Sequence, residues 1–144
     1  MDGTRDFAVG VHTWGTLIGL TRGRKPVLGV IDQPCSVDRW VGVAGRPTTH
    51  NGRAVRVATL PVPAGPGGGG GGGGSDAVLL GAARVNVSGA GIGALRDPFY
   101  TRAAHALVDA GLTASFGGPN AYSFGLLSSG CLDVLCDGTQ GFVL

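Results

Sequence analysis

The first part of the chain alternates between short runs of β-forming residues and tight turns, and this succession constrains the fold most strongly. The runs at 14–20 and 26–31 are separated by a short polar turn containing glycine, as in a β-hairpin. A third run follows at 39–44, and Asn51-Gly52 then joins two more β-forming stretches, which is the strongest short hairpin signal. The sequence therefore predicts an antiparallel meander here.

The two longest runs are almost continuously apolar, which predicts strands covered on both faces and therefore helices packed on the sheet. Residues 97–110 have helical spacing and stop at Gly111, and a second helix is predicted at 121–129, just before Gly130. Further strand candidates lie at 77–80, 84–87 and 132–135. The mixture predicts an α/β fold of packed layers.

The composition excludes several classes of function. The chain has 144 residues, enough for one ordinary domain, and is 43% hydrophobic but only 14% charged. Its net charge of +2 and lack of a basic cluster argue against a nucleic-acid partner, and no apolar run is long enough for a membrane helix. Cys35, Cys131 and Cys136 are odd in number and lack CxxC spacing, which favours free thiols in a reducing compartment.

Two glycine-rich stretches need separate interpretation. Residues 61–75 contain three prolines and the glycine run 67–74, which buries nothing and predicts a flexible loop insertion. A phosphate loop of the Walker A type is excluded, because no Lys follows the glycines. Gly89–Ala94 fits the GxGxxA form of a dinucleotide fingerprint, but Pro98 falls where the phosphate-binding helix should be in its first turns. A dinucleotide-binding domain at 89–94 is kept as a weaker alternative.

The first residues of the chain, Met1 to Phe7, combine the groups that a metal and phosphate site requires. Asp2 can ligate a hard cation such as Mg²⁺, and Gly3 allows the backbone to approach an anion closely. Thr4 can cap a helix whose first-turn amides attract phosphate, and its hydroxyl can position a water. Asp-Gly-Thr is also an ordinary turn tripeptide and recurs at 137–139, so the tripeptide alone leaves both interpretations open.

The opening tetrapeptide, MDGT, belongs to a set of stretches that occur together in one enzyme family. The others are 14–18 (WGTLI), 26–34 (PVLGVIDQP), 39–42 (RWVG) and 122–133 (YSFGLLSSGCLD). Together they resemble the inositol monophosphatase superfamily, most closely its histidinol-phosphate phosphatase-like branch. MDGT matches the second half of the family signature D-P-(I/L)-D-G-T. Residues 61–115 carry the resemblance poorly.

This resemblance implies both a fold and an activity. The fold would be the layered αβαβα sandwich of the inositol monophosphatase/fructose-1,6-bisphosphatase type, of which 1–144 form a partial domain with the antiparallel meander. The activity would be Mg²⁺-dependent hydrolysis of a small phosphomonoester, with histidinol phosphate as the first substrate and inositol monophosphate as the next. Family members are often dimers, so a homodimer is the implied assembly.

The resemblance also assigns roles to the first four residues. Asp2 would be a metal ligand that bridges the catalytic ions, and the Met1 carbonyl would be a backbone ligand. Gly3 and Thr4 would bind phosphate through their amides, and the Thr4 hydroxyl would help to activate water. Two later residues correspond to substrate-contacting positions, namely Asn120 and Asp137, although a plain turn is an equal interpretation of Asp137.

The family site also needs carboxylates that this sequence does not contain: an upstream Glu, the first Asp of the signature and an Asp in a later W-D motif. We therefore expect a fragment truncated at both ends, with little or no phosphatase activity on its own. The alternative is a degenerate paralogue that serves as a non-catalytic binding or oligomerisation module. The codons before Met1 would distinguish the two. A soluble intracellular protein, in the cytoplasm or an organelle, is expected.

Overall fold

The computed structural model describes residues 1–59, 83–88, 98–110, 113–116 and 120–137. The first half forms a five-stranded antiparallel sheet in which the strands lie side by side in chain order. The predicted meander is therefore confirmed. Its strands are β1 (Thr16–Arg22), β2 (Lys25–Gln33), β3 (Asp38–Val43), β4 (Thr49–His50) and β5 (Arg53–Ala54).

The turn between β4 and β5 has the backbone conformation that its sequence demands. Asn51 and Gly52 have φ angles of 48° and 79°, as a two-residue hairpin turn requires. The Asn51 side chain also accepts a hydrogen bond from the Arg39 amide at 2.8 Å and donates one to the Val37 carbonyl at 3.0 Å. These bonds hold Val37 at a φ of 59°, a conformation that β-branched residues rarely adopt.

The second half forms a three-stranded parallel sheet with the strand order β7-β6-β8. Its elements are β6 (Arg84–Ser88), α2 (Pro98–Asp109), β7 (Thr113–Phe116), α3 (Asn120–Ser128) and β8 (Val134–Asp137); α1 (Thr4–Ala8) precedes the first sheet. Neighbouring parallel strands need crossover connections, and α2 and α3 lie in these connections. In the described part of the chain, none of the helices has the length and apolar character of a membrane span.

Most of the helices and strands of the second half were predicted, but one strand was missed and one strand boundary was wrong. Both long helices and β6 are confirmed within a few residues, but β7 was not predicted. The last strand was expected at 132–135 with Asp137 beyond it, whereas Asp137 is the final residue of β8, because it pairs with Ser88. The predicted strand at 77–80, the loop at 61–75 and the glycine motif at 89–94 lie outside the described residues.

Helix α3 lies between the two sheets and contacts β2, β6 and β8. Its packing centres on Trp40 of β3, which is only 2% exposed. The Trp40 indole nitrogen donates to the Ser129 hydroxyl at 2.6 Å, and the His50 ring stacks on the indole at 4.5 Å between centroids. A methyl group added at Gly125 of α3 would lie 2.7 Å from indole carbons, so the helix packs directly against the ring.

A buried polar chain fastens α3 to the parallel sheet. Asn86 of β6 donates to the Ser115 hydroxyl of β7 at 2.7 Å and accepts from the Ser123 hydroxyl of α3 at 3.0 Å. Asn86 and Ser123 are both buried, and burial of polar groups is costly unless they are hydrogen-bonded. Beside them the fully buried Val87 packs against Leu107 and Cys136.

Strand β1 does not fulfil the prediction that both faces are covered. Leu17, Ile18 and Leu20 are each more than half exposed. Helix α3, which covers the sheet, makes its main contacts in this sheet with β2, and β1 lies beyond β2 at the end of the strand order. An apolar run in a sequence indicates that a strand can be buried, but it does not indicate which element covers that strand.

Arg84, at the start of β6, anchors the segment that leads into β8. Its guanidinium donates to both carboxylate oxygens of Asp133 at 2.9 Å, and its backbone amide donates to the same carboxylate at 2.8 Å. These bonds lower the pKa of Asp133 from 3.8 to about 2. Because the folded pKa is depressed, this carboxylate stabilises the fold above pH 3.8, and the contribution is lost as the pH falls through about 2.

We predict that Gly125→Ala lowers the free energy of unfolding by about 1–3 kcal/mol, because the added methyl group overpacks the Trp40 ring. Urea denaturation of the purified chain measures this change. The matched control is Gly19→Ala, whose added methyl group meets nothing within 4 Å and should leave stability unchanged or raise it by up to about 1 kcal/mol. A stabilised Gly125→Ala variant, as helix propensity alone would produce, would contradict the tight packing.

Candidate functional site

The site is built on the backbone of Asp2, which is fixed against the start of the meander. The Asp2 amide donates to the Gly15 carbonyl at 2.8 Å, and the Gly15 amide donates to the Asp2 carbonyl at 3.0 Å. These two bonds form an isolated antiparallel bridge, so residues 2 and 15 are held as neighbours. The segment between them is a closed loop that contains α1.

The start of α1 differs from the prediction for Thr4. Gly3, not Thr4, occupies the N-cap position, with a φ of 77°, and no side chain caps the helix. Thr4 is the first helical residue and is exposed. The chain must turn through a left-handed conformation directly after Asp2, and glycine adopts that conformation without a Cβ penalty, so the cap falls one residue earlier than predicted.

Two contacts close the loop after α1. The Thr13 hydroxyl donates to the Asp6 carboxylate at 2.7 Å, and the Phe7 and Trp14 rings meet edge to face with centroids 5.1 Å apart. Phe7 is nevertheless about half exposed. The loop is therefore held by one polar and one aromatic contact rather than by deep burial.

The Asp2 side chain reaches the other end of the described chain. Its Oδ2 accepts a hydrogen bond from the Ala121 amide at 2.8 Å, across a sequence separation of 119 residues. Ala121 lies in the first turn of α3, where unsatisfied amides and the helix dipole favour a negative group. The carboxylate thus acts as an external cap of α3, and the meander and the parallel sheet meet at this point.

The two predicted substrate-contacting residues lie toward the same edge of the parallel sheet. Asn120 is the first residue of α3, directly before Ala121. Asp137 is the last residue of β8 and lies at the carboxyl edge of that sheet, the edge from which β7 leads into α3. Carboxyl ends of parallel strands meet at one edge, which is where such folds bind ligands. The structure therefore places the backbones of Asn120 and Asp137 toward the side of the parallel sheet on which Asp2 caps α3.

Tyr122 follows Ala121 in the first turn of α3. Its ring packs edge to face on the Trp40 ring, with centroids 5.8 Å apart. Burial raises the pKa of Tyr122, and the negative charges of Asp38 and Cys131 act in the same direction. The Asp38 carboxylate is itself paired with the His50 imidazole at 2.7 Å. The phenol therefore stays protonated and neutral at physiological pH beside the first turn of α3.

The donor set around Asp2 fits a hard cation only in part. A carboxylate and a backbone carbonyl, here Asp2 and the exposed Met1, supply the oxygen ligands that Mg²⁺ prefers. A carboxylate has two oxygens, so the bond from Ala121 is compatible with coordination through the other. Within the described residues, however, no group of three or more His, Cys, Asp or Glu side chains could hold a metal ion.

Three features of the site were not predicted from sequence. The Ala121 contact uses a backbone amide, which leaves no signature in a sequence. The Asn86–Ser123 bond depends on packing of α3 against β6, across 37 residues of sequence. Gln33 ends β2 and is almost completely buried, and it follows Asp32 beyond the apolar run 26–31, so nothing in the sequence marked it as an interior residue. The three cysteines are free thiols, as predicted.

Comparison with known proteins identifies the family. The family model for the inositol monophosphatase family matches residues 1–87, which include the meander and Asp2. The chain belongs to the inositol monophosphatase family. The bifunctional phosphatase IMPL2, chloroplastic, of Arabidopsis thaliana is 44% identical over 61 residues, which are 42% of this chain and 18% of that protein.

Solved structures agree with this assignment. An inositol monophosphatase from Zymomonas mobilis is 29% identical, with a TM-score of 0.64 over 92% of this chain and 45% of that chain. The extragenic suppressor protein SuhB of Bartonella henselae is 18% identical and shares the fold, with a TM-score of 0.69 over 96% of this chain and 47% of its own. The chain spans about half the length of these inositol monophosphatase-fold structures.

We predict that Asp2→Ala lowers the free energy of unfolding by about 1–3 kcal/mol, because it leaves the buried Ala121 amide without an acceptor. Asp2→Asn retains an acceptor oxygen and should cost less than about 1 kcal/mol. Urea denaturation of the two variants measures the difference. Equal stability of both variants and the parent chain would show that the contact with α3 does not hold.

Proposed function

We propose that this chain contributes one half of a Mg²⁺-dependent phosphomonoesterase site, in the histidinol-phosphate phosphatase-like branch of its family. One observation carries the proposal: the Asp2 carboxylate, within the family motif, is held at the first turn of α3. The substrate would be a small phosphate ester, with histidinol phosphate first and inositol monophosphate second. The preference for histidinol phosphate rests on the resemblance of WGTLI, PVLGVIDQP and RWVG to that branch.

Within this proposal each residue of the site has a distinct task. Asp2, fixed through its backbone by Gly15 and through its side chain by Ala121, would hold the cation in a set direction. Gly3 and Thr4 would present their amides to the phosphate, and the Thr4 hydroxyl would orient a water. Mg²⁺, when bound, supplies charge neutralisation and lowers the pKa of its water. Asn120 and Asp137 would contact the alcohol part of the substrate.

The 144-residue chain alone is expected to hydrolyse phosphomonoesters weakly. Mg²⁺ sites combine a few carboxylates with water and substrate phosphate, and the described residues contain no group of three potential ligands. A catalytic test therefore needs two samples. One is the chain itself, and the other is the chain joined to the flanking segments that its longer relatives possess.

We predict little phosphate release by the chain itself and Mg²⁺-dependent release by the longer protein. Release is measured from histidinol phosphate, inositol monophosphate and a sugar phosphate, and kcat/KM should be highest for histidinol phosphate. Asp2→Asn in the longer protein should lower kcat/KM about a hundredfold or more, as loss of an electrostatic catalytic group does. Asp109→Asn, which changes an exposed carboxylate at the end of α2, is the matched control.

Two results would contradict parts of this proposal. A normal Mg²⁺-dependent rate from the 144-residue chain would contradict its expected weakness, and inactivity of the longer protein on all three substrates would contradict the function. The second candidate is a non-catalytic binding or oligomerisation module. The exposed Ile18 and Leu20, on one face of β1, favour it, since exposed apolar patches often mark interaction sites. Self-association without hydrolysis would support this candidate.

The weaker alternative, a dinucleotide-binding domain, concerns residues 89–94, which lie outside the described part of the chain. In the sequence, Pro98 falls where the phosphate-binding helix of the fingerprint should be in its first turns, which disfavours this alternative. A thermal shift on addition of a dinucleotide is the observation that would favour this alternative.

A further inference from the structure

Gln33, the last residue of β2, is a polar residue in the interior of the protein. Its side chain is among the most deeply buried in the described chain, at 1% exposure. A buried amide is costly unless its polar atoms are hydrogen-bonded, so such a residue is retained for the bonds that it makes. The roles proposed above for Asp2, Gly3 and Thr4 do not involve it.

The Gln33 side-chain nitrogen bonds to two successive carbonyl oxygens. It donates to the Thr13 carbonyl at 3.0 Å and to the Trp14 carbonyl at 2.7 Å. This orientation of the amide follows from its partners, since two carbonyl oxygens require a donor. A side-chain amide nitrogen has two N–H donors, so both are used on the two residues that immediately precede Gly15.

Gly15 itself lies against the same side chain. A methyl group added at Gly15 would lie 2.8 Å from the Asp32 carbonyl and closer still to the Gln33 amide. The end of β2 and residues 13–15 are therefore in direct contact over three consecutive residues. The next link is the two-bond bridge between Gly15 and Asp2, and the last is the Asp2 carboxylate on Ala121.

We propose that Gln33 is a positioning residue for Asp2. Its two donors fix residues 13 and 14, these fix Gly15, and the bridge transmits that position to the backbone of Asp2. The direction of the Asp2 carboxylate is thus set from inside the sheet rather than by the exposed loop around α1. The catalytic consequence of this arrangement rests on the proposed function, whereas the structural coupling does not.

Two variants separate the bonds of Gln33 from its volume. Gln33→Met fills a similar space but has no donor. Gln33→Glu keeps the shape but, when ionised, directs a carboxylate at two carbonyl oxygens. Burial and these carbonyls raise the pKa of the introduced carboxyl, and its protonated form regains one O–H donor.

The test is amide hydrogen exchange by NMR on the 144-residue chain. In Gln33→Met we expect the Asp2 and Gly15 amides to exchange about tenfold faster or more, because the support of the bridge is removed. The amides of the β2–β3 ladder should change less than about twofold, since their bonds are not altered. In Gln33→Glu the protection factors of Asp2 and Gly15 should be low at neutral pH and should recover as the pH is lowered.

Asn51→Gly is the matched control. This substitution removes another side-chain amide from the same sheet, the one that bonds to Val37 and Arg39. Glycine preserves the left-handed backbone of the turn between β4 and β5. Exchange at Asp2 and Gly15 should be the same as in the parent chain. The control excludes a general effect of losing any amide from the sheet.

Every other outcome counts against the proposal. Unchanged exchange at Asp2 and Gly15 in Gln33→Met, or no recovery of Gln33→Glu on acidification, would overturn it. Uniform loss of protection, including complete unfolding of the variants, would assign Gln33 a general packing role. None of these measurements requires activity. A selective effect in the 144-residue chain, together with a longer protein that hydrolyses none of the three substrates, would reject the proposed function and leave the positioning role intact.

Discussion

The hydrogen bond from the Ala121 amide to the Asp2 carboxylate is the contact on which the site depends. It joins the opening motif to the first turn of α3, and so it joins the antiparallel meander to the parallel sheet. Asp2 is held on both sides, since Gly15 fixes its backbone and α3 fixes its side chain. A carboxylate held in this way has a defined direction, as a ligand must have to support chemistry.

The interior on either side of this contact is arranged around α3. Trp40 packs against the glycine face of the helix, and Asn86 bonds to it from the parallel sheet. Neither contact tolerates substitution well. The Trp40 contact leaves no room for a methyl group on the helix, and the Asn86 contact is a buried hydrogen bond. The position of the α3 N-terminus, and with it the acceptor site for Asp2, is therefore set by the core.

The parts of this structure that follow from local rules could be predicted from the sequence. Asn51-Gly52 specifies its own turn, and the meander follows from runs and turns that are adjacent in the chain. Strand β7 and the parallel sheet could not be predicted, because their pairing is non-local. The predicted N-cap of α1, Thr4, was wrong by one residue, because the chain turns through a left-handed conformation at Gly3 and the helix begins directly after it. For the candidate site, the motif indicated Asp2, but nothing in the sequence indicated the Ala121 amide.

Paramagnetic broadening by Mn²⁺ is the most sensitive measurement of whether Asp2 and its neighbours form a cation-binding half-site. Mn²⁺ takes the same oxygen ligands as Mg²⁺, and even weak binding broadens nearby amide signals. On titration of the 144-residue chain, we expect the Gly3, Thr4 and Ala121 signals to broaden first and Asp2→Asn to abolish this effect. Broadening centred on other carboxylates, or unchanged broadening in Asp2→Asn, would show that Asp2 does not hold the cation.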